Sequence, residues 1–305
     1  MQDLKDKVAF VTGGASGIGL GICKAMVAAG MRVVIADVRD DHLKEARAWF
    51  LSQQQSRRIR CVKLDVTNRK AYARAADAAE KAFGKIHVLV NNAGLGLLGA
   101  IDKTRYDDWD WGLDVMIGGV VNGLLTVLPR IRAHGEGGHV VNTSSMAALV
   151  PIPNCSIYIV AKAAMVGLSE CLAGELAPAN IGVSAFCPGP VQSNIRELGK
   201  LRPERYKKDT GLEEFEKNLA TRPTSDLWMD AVECGNRVVR GIQRNDLYIF
   251  THPEFKDGAR ERFDKMLASF PDEPINQPRA DAIKFLLSNP IFGGGGGGVR
   301  QGKSG

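Results

Sequence analysis

The chain has 305 residues, 45% of them hydrophobic, and a formal net charge of +6. That length and apolar content can bury a full core, and a single α/β domain is the expectation. No apolar run reaches the roughly 18 residues of a membrane span, and Met1–Lys7 carries no apolar signal region, which together predict a cytosolic protein with no membrane partner. Strands are predicted at Val8–Val11, Arg32–Ala36, Arg60–Asp65, Ile86–Asn91, His139–Thr143 and Gly182–Cys187, with a short one at Leu247–Phe250. Helix-period apolar positions fill Asp41–Gln54, Arg69–Phe83, Tyr106–Arg132 and Ser156–Ala177 between them. Alternation of this kind predicts a single-domain, doubly wound parallel sheet of the Rossmann type, with ligands gathered at the carboxyl ends of the strands. Residues 190–230 break the pattern and are expected to form a substrate lid. The stretch 251–292 adds extra C-terminal helices, Glu254–Phe270 and Arg279–Leu287, packed on the core or on a partner subunit. The glycine-rich run 293–305 is expected to be a disordered tail.

The first strand runs straight into Thr12-Gly13-Gly14-Ala15-Ser16-Gly17-Ile18-Gly19, and Asp37 follows twenty positions beyond Gly17. Glycines let the backbone approach a pyrophosphate closely, and the N-terminus of the next helix directs N–H groups and a positive dipole end at the anion. Asp37 closes the second apolar run, where a carboxylate can accept hydrogen bonds from a ribose 2′-hydroxyl. Strand, turn, helix and acid agree on a dinucleotide site. The order G-x-x-x-G-x-G of Gly13, Gly17 and Gly19 differs from the G-x-G-x-x-G of larger two-domain dehydrogenases.

The fifth strand leads to Ser144-Ser145, and thirteen residues beyond Ser145 stands Tyr158, with Lys162 one helical turn further. Tyr158 and Lys162, at i and i+4, share a face. A tyrosine titrates near ~10 in isolation, so it serves as a base at neutral pH only where positive charge favours the phenolate. An ammonium at Lys162 beside an oxidised nicotinamide ring would supply that charge. Tyr158 then takes the hydroxyl proton of a secondary alcohol as hydride leaves its carbon, and Ser145 holds the reacting oxygen.

With these pieces in order from about Lys7 to Phe250, the chain resembles the short-chain dehydrogenase/reductase family. The matching residues are the glycine turn at 12–19, Asp37, Asp65-Val66, Asn91-Asn92-Ala93-Gly94, Ser145 with Tyr158-x-x-x-Lys162, and Pro188-Gly189-Pro190-Val191 followed by Ser193. The resemblance implies a dinucleotide held by Gly13, Ser16, Gly17, Ile18, Gly19 and Asp37, with Asp65 and Val66 bordering the adenine. Asn92, Ala93 and Gly94 would line the cofactor floor, Tyr158 and Lys162 the nicotinamide ribose, and Pro188, Gly189, Val191 and Ser193 the nicotinamide end. Ser16 in the turn and Asp37 after the second strand favour NAD, because Asp37 would repel a 2′-phosphate; Arg39 close by argues the other way. The family carries a catalytic Asn that supports a helix kink and a water linking the Lys to solvent. Here Met116 occupies that position, in Asp114-Val115-Met116-Ile117-Gly118-Gly119-Val120, and a thioether donates no hydrogen bond. A backbone-held water, a weakened activity or a pocket reshaped for an apolar substrate are the outcomes this leaves open.

Leu95, Leu97, Met146, Ile152 and Val191, with Trp228 from the lid, are predicted to border the substrate. All are apolar, which fits a bulky hydrophobic secondary alcohol or ketone. The segments Thr104–Trp111, Ser193-Asn194-Ile195 and Leu201-Arg202-Pro203 are similar to bacterial dehydrogenases that oxidise the benzylic alcohol of lignin-derived aryl ethers. The family also pairs subunits through its two long helices, which implies a homodimer or homotetramer. The alternative is a catalytically weak NAD-binding sensor or assembly subunit, for which Met116 is the support. No nucleic-acid partner is expected, since Arg57–Arg60 and Arg202–Lys208 read as solvated surface. The six cysteines, Cys23, Cys61, Cys155, Cys171, Cys187 and Cys234, form no C-x-x-C pair and read as buried thiols with no metal.

Overall fold

Strands that are covered by helices on both faces need no polar side, and β1 (Val8–Thr12), β4 (Val88–Asn91) and β5 (Gly138–Thr143) are buried at every position. A computed structural model describes residues 1–198, 201–221, 225–287 and 291. In it β2 (Arg32–Asp37), β3 (Ile59–Lys63), β6 (Ile181–Cys187) and β7 (Tyr248–Phe250) complete a seven-stranded parallel sheet in the order β3-β2-β1-β4-β5-β6-β7. The winding direction reverses between β1 and β4, and the crevice that this opens lies at the carboxyl ends of the strands.

Successive strand residues feed two cores. Ala9, Val11, Val33, Ile35 and Val90 pack with α1 (Gly17–Ala28), α2 (Asp40–Ser52) and α8 (Ala231–Arg244). Val8, Phe10, Val34, Leu89 and Val140 face α3 (Arg69–Phe83), α5 (Gly119–Ala133) and α6 (Ser156–Leu176) on the other side. Helix ends follow local chemistry: Asn68 accepts the Ala71 N–H to start α3, and Asp230 accepts the Val232 and Glu233 N–H groups to start α8.

The single long helix expected over Tyr106–Arg132 is interrupted. α4 (Tyr106–Leu113) passes through one π turn, Asp114–Gly118, into α5, with the Gly119 N–H bonded to the Asp114 carbonyl. One extra residue is accommodated there, at the level of Met116. By length and composition alone the composite helix Tyr106–Ala133 and the helix Ser156–Ala179 could cross a bilayer, which the reading of contiguous apolar runs did not anticipate. Both lie against the sheet, yet only 28% of the second helix's apolar window is buried, leaving Val160 and its neighbours on the surface.

The segment after β6 is built around an ion cluster. It carries a short turn at Glu204–Tyr206 and α7 (Glu213–Thr221). Arg202, expected on a solvated surface, is buried: its Nη2 donates to Asp108 of α4 at 2.7 Å and to Glu216 of α7, and Nη1 donates to the Tyr206 carbonyl at 3.1 Å. Beyond β7, α9 (Lys256–Leu267), α10 (Gln277–Ala282) and α11 (Lys284–Leu287) bury no residue. α9 is tethered by Arg262, which donates to the carbonyls of Ala148 and Leu149 just after β5. The predicted tail at 293–305 lies outside the described residues. Of the cysteines, Cys171 is exposed and Cys61 half-buried, against the expectation of burial for all six.

Candidate active site

The turn between β1 and α1 is held open by its glycines. Gly17 has a φ of +49°, and a Cβ at Gly19 would lie 2.0 Å from the Gly13 carbonyl oxygen, so no other residue fits there. Ser16 precedes α1 without placing its side chain on the first N–H groups, and no acid stands in the first turn. The helix start therefore presents backbone donors and a positive dipole end to the crevice, the chemistry a pyrophosphate requires. Thr12 ties this turn to the β4 end, accepting the N–H groups of Asn92 at 3.0 Å and Ala93 at 3.1 Å, while the Asn92 amide donates to the Thr12 and Gly13 carbonyls.

Asp37 ends β2 at the same crevice. Its Oδ2 accepts the Ala15 N–H at 3.1 Å and its Oδ1 the Arg39 N–H at 3.0 Å. A carboxylate has about four acceptor positions, so both oxygens keep capacity for ribose hydroxyls. Asp65 also accepts two bonds, both at Oδ1, from the N–H and the hydroxyl of Thr67. One cleft is lined by Gly13, Ser16, Gly17, Ile18, Gly19, Asp37, Asp65, Val66, Asn92, Ala93, Gly94, Pro188 and Ser193, together with Tyr158 and Lys162.

At its far end β5 and α6 bring three side chains together. Lys162 Nζ donates to the Thr143 carbonyl at 2.9 Å, and the Ser144 hydroxyl donates to the Lys162 carbonyl at 2.6 Å, so α6 is stapled to β5 in both directions. Ser145 caps the short turn Met146–Ala148 by accepting the Ala147 N–H. Lys162 Nζ stands 5.5 Å from the Tyr158 ring centre. Burial pushes the Tyr158 phenol above its ordinary range, and a hydrogen bond with Ser145 pulls the other way. Burial also brings Lys162 down to about 8, partly offset by nearby Cys187. At neutral pH the resting pair is thus a protonated phenol beside an ammonium.

This arrangement can exchange a proton with a bound hydroxyl beside a dinucleotide. Residues 7–201 match the family model of the short chain dehydrogenases. The chain belongs to that family. It is 36% identical over 270 residues to a C alpha-dehydrogenase of Sphingobium sp. strain NBRC 103272 / SYK-6, covering 88% of each chain. Among solved structures, a short chain dehydrogenase/reductase from Burkholderia phymatum in complex with NAD is 30% identical with a TM-score of 0.81, over 90% of this chain and 100% of that one. The LigO apo form from Sphingobium sp. strain SYK-6 is 38% identical with a TM-score of 0.76, over 94% and 98%. An oxidoreductase that uses a nicotinamide cofactor follows from this kinship.

Within this dehydrogenase, several residues expected at the ligands lie elsewhere. Gly189 packs under His252, with its N–H on Thr251 Oγ1 at 2.9 Å, and Val191 is buried beside α1 and α8 in a bridge with Met229. Of the six substrate candidates only Leu95 lines the cleft. Leu97 sits in the cluster behind it, Met146 packs on Ala185 and Cys187, and Ile152 is 55% exposed on the following loop. Trp228 faces the Arg196 guanidinium at 4.6 Å. Trp111, Val115, Ile195, Leu198, Leu201 and Pro203 take their places along the cleft. Trp111, Ile195, Leu201 and Pro203 fall within the segments similar to aryl-ether dehydrogenases, whereas Val115 and Leu198 carry no local signal.

Met116 is 2% exposed in an apolar cluster with Leu95, Trp111, Ile157 and Ala161, and a Cβ at Gly94 would touch both Met116 Cγ at 3.9 Å and Lys162 Nζ at 3.4 Å. Met116 stands at the centre of the π turn Asp114–Gly118. Asn122, six residues on, donates to the Val66 carbonyl at 2.9 Å and takes no part in the proton site. At the opposite sheet end, His87, His134 and Glu136 place potential ligand atoms within 4.8 Å of one another. Their ring nitrogens are engaged with Val8, Glu136 and Ile86, and Lys7 and Lys85 both bond Glu136. Two ammonium groups on the only carboxylate of the group oppose a further cation there.

Proposed function

We propose that this short-chain dehydrogenase transfers hydride between NAD and a bulky, largely hydrophobic secondary alcohol or ketone, with Tyr158 as the general acid and base. The observation that carries the reading is that Tyr158 and Lys162 line the same cleft as the glycine turn and Asp37, with buried Ser145 hydrogen-bonded to Tyr158. The nicotinamide ring, when bound, supplies the hydride acceptor. In the oxidative direction Tyr158 Oη takes the hydroxyl proton, and in the reductive direction it returns one. Ser145 donates a hydrogen bond to the reacting oxygen, worth most as negative charge develops. Lys162 orients the ribose and favours the phenolate, and its bond to the Thr143 carbonyl, with the Ser144 hydroxyl on its own carbonyl, holds α6 against the end of β5.

The apolar lining of Leu95, Trp111, Leu198 and Leu201 supports an aromatic or alicyclic substrate. Kinship with the C alpha-dehydrogenase of Sphingobium, together with the segments 104–111 and 193–203, favours a benzylic alcohol within that class. Asp37 favours NAD over NADP. The exposed apolar strip on α6, with Val121 and Leu125 on α5, supports pairing of subunits in a cytosolic homo-oligomer.

A screen of 1-arylethanols and alicyclic secondary alcohols, read at the reduced-nicotinamide absorbance, tests the reading. The expected result is turnover of aryl alcohols that Tyr158→Phe abolishes while NADH binding changes little. Turnover that survives Tyr158→Phe, or an absence of turnover across both classes, refutes it.

A further inference from the structure

Arg39 stands two residues beyond Asp37, and both line the cleft. A guanidinium is the group best suited to grip a ribose 2′-phosphate. Here it is held by two carboxylates instead. Nε donates to Asp41 Oδ1 at 3.0 Å, Nη2 donates to Asp41 Oδ2, and Nη1 lies 2.5 Å from Glu197 Oε2. Asp41 is a neighbour in sequence, on the first turn of α2. Glu197 comes from the segment after β6, 158 positions away, at the other side of the cleft. The Arg39 side chain is 16% exposed and the Glu197 side chain 34%, so the pair is partly shielded from water.

We propose that Glu197 is a second determinant of cofactor choice beside Asp37: by engaging Arg39 across the cleft it withholds the guanidinium from a 2′-phosphate. The inference rests on reading the cleft as a dinucleotide site that prefers NAD. A 2′-phosphate must displace Glu197 from Arg39 and also face the Asp37 carboxylate, whereas a 2′-hydroxyl needs neither. The segment carrying Glu197 has other anchors, because Arg205 donates to Thr67 Oγ1 at 2.9 Å and Arg202 is buried against α4. Removing the Glu197 carboxylate therefore changes the charge around Arg39 without releasing the segment.

The test is a fluorescence titration with NADH and with NADPH on the wild type, Glu197→Ala, Arg39→Ala and the double variant. Glu197→Ala is expected to tighten NADPH by about fivefold and to leave NADH within about twofold, the scale of a partly exposed ion pair. In the Arg39→Ala background the gain should vanish, which identifies it as coupling between the two residues. An equal gain without Arg39 overturns the inference, since removing any negative charge would then suffice. Equal weakening of both dinucleotides overturns it too, because Glu197 would then serve the segment's position alone. A wild type that prefers NADH, with a ratio unchanged by Glu197→Ala, sinks the inference and spares the parent reading. A wild type that binds NADPH as tightly as NADH sinks both.

Discussion

Replacing Arg202 by methionine removes the cation from a cluster whose side chains are 2% exposed at Arg202, 0% at Asp108 and 4% at Glu216. Taking one partner from a buried ion pair costs about 3–5 kcal/mol, because the remaining charge is stranded away from water. The two acids are not stranded equally. Asp108 keeps the Thr210 hydroxyl at 2.6 Å and the N–H groups of Gly211 and Arg105, each at 2.9 Å. Glu216 loses the guanidinium that holds it, so most of the penalty falls there and the total should lie near the lower bound, about 3 kcal/mol. That corresponds to roughly a hundredfold change in an opening equilibrium. Because the cluster joins the segment after β6 to α4, the loss should appear as local opening rather than as global unfolding. Hydrogen exchange of peptides covering 201–221 should accelerate in Arg202→Met, while β1 and β4 stay protected. The double variant Arg202→Met, Glu216→Leu should recover most of the protection, since apolar replacement of a whole buried cluster is often neutral. Unchanged exchange at 201–221 in Arg202→Met, or no recovery in the double variant, would refute the reasoning.

Three further outcomes are expected. Met116→Asn inserts an amide into an apolar cluster at a π turn that already forms, so thermal stability should fall by about 1–3 kcal/mol and turnover should not rise; a faster enzyme would show that the thioether impairs proton exchange. Asp37→Ala should narrow the preference for NADH over NADPH in a binding titration, and a ratio unchanged from wild type would remove Asp37 from cofactor choice. In the dinucleotide-free protein, raising the pH should neutralise Lys162 around its value of about 8 before Tyr158 ionises, because burial lowers the first and raises the second. A near-ultraviolet difference titration of wild type against Tyr158→Phe should thus show no Tyr158 phenolate at pH 8. By linkage Lys162 opposes folding most fully below its folded value, and that cost is relieved as pH rises from about 8 toward its ordinary 10.5.

The alternation of strands and helices was legible because parallel strands buried on both faces leave uninterrupted apolar runs. α3 was read to the residue, Arg69–Phe83, since Asn68 caps its start and Gly84, at a φ of +87°, ends it. The π turn was not legible: it consists in the Gly119 N–H reaching the Asp114 carbonyl, and no residue type in Asp114–Gly118 announces that shift. Arg202 was misread as surface because its partners stand 94 and 14 positions away, and charge clusters carry no sign of burial. The lining of the cleft was hard to read for a related reason. Position after a motif fixes where the backbone is but not which way a side chain points, so Leu95 reached the cleft while Val191, at the other end of the same family pattern, turned into the core.

The two walls of the cleft are held by different physics. On one side, β5 and α6 are joined by neutral and ammonium hydrogen bonds between Thr143, Ser144 and Lys162, all buried, so the spacing of Ser145 and Tyr158 is set by the core and is insensitive to salt. On the other, the segment after β6 meets the adenosine side through contacts of partly exposed groups, Glu197 with Arg39 and Arg205 with Thr67, which ionic strength and competing anions weaken. On the proposed function, proton-transfer geometry belongs to the rigid wall, and on the proposed role of Glu197 discrimination among dinucleotides belongs to the adjustable one. If Glu197 acts as proposed, substitutions at Glu197 or Arg39 should change cofactor preference while the distances among Tyr158, Lys162 and Ser145 stay as they are.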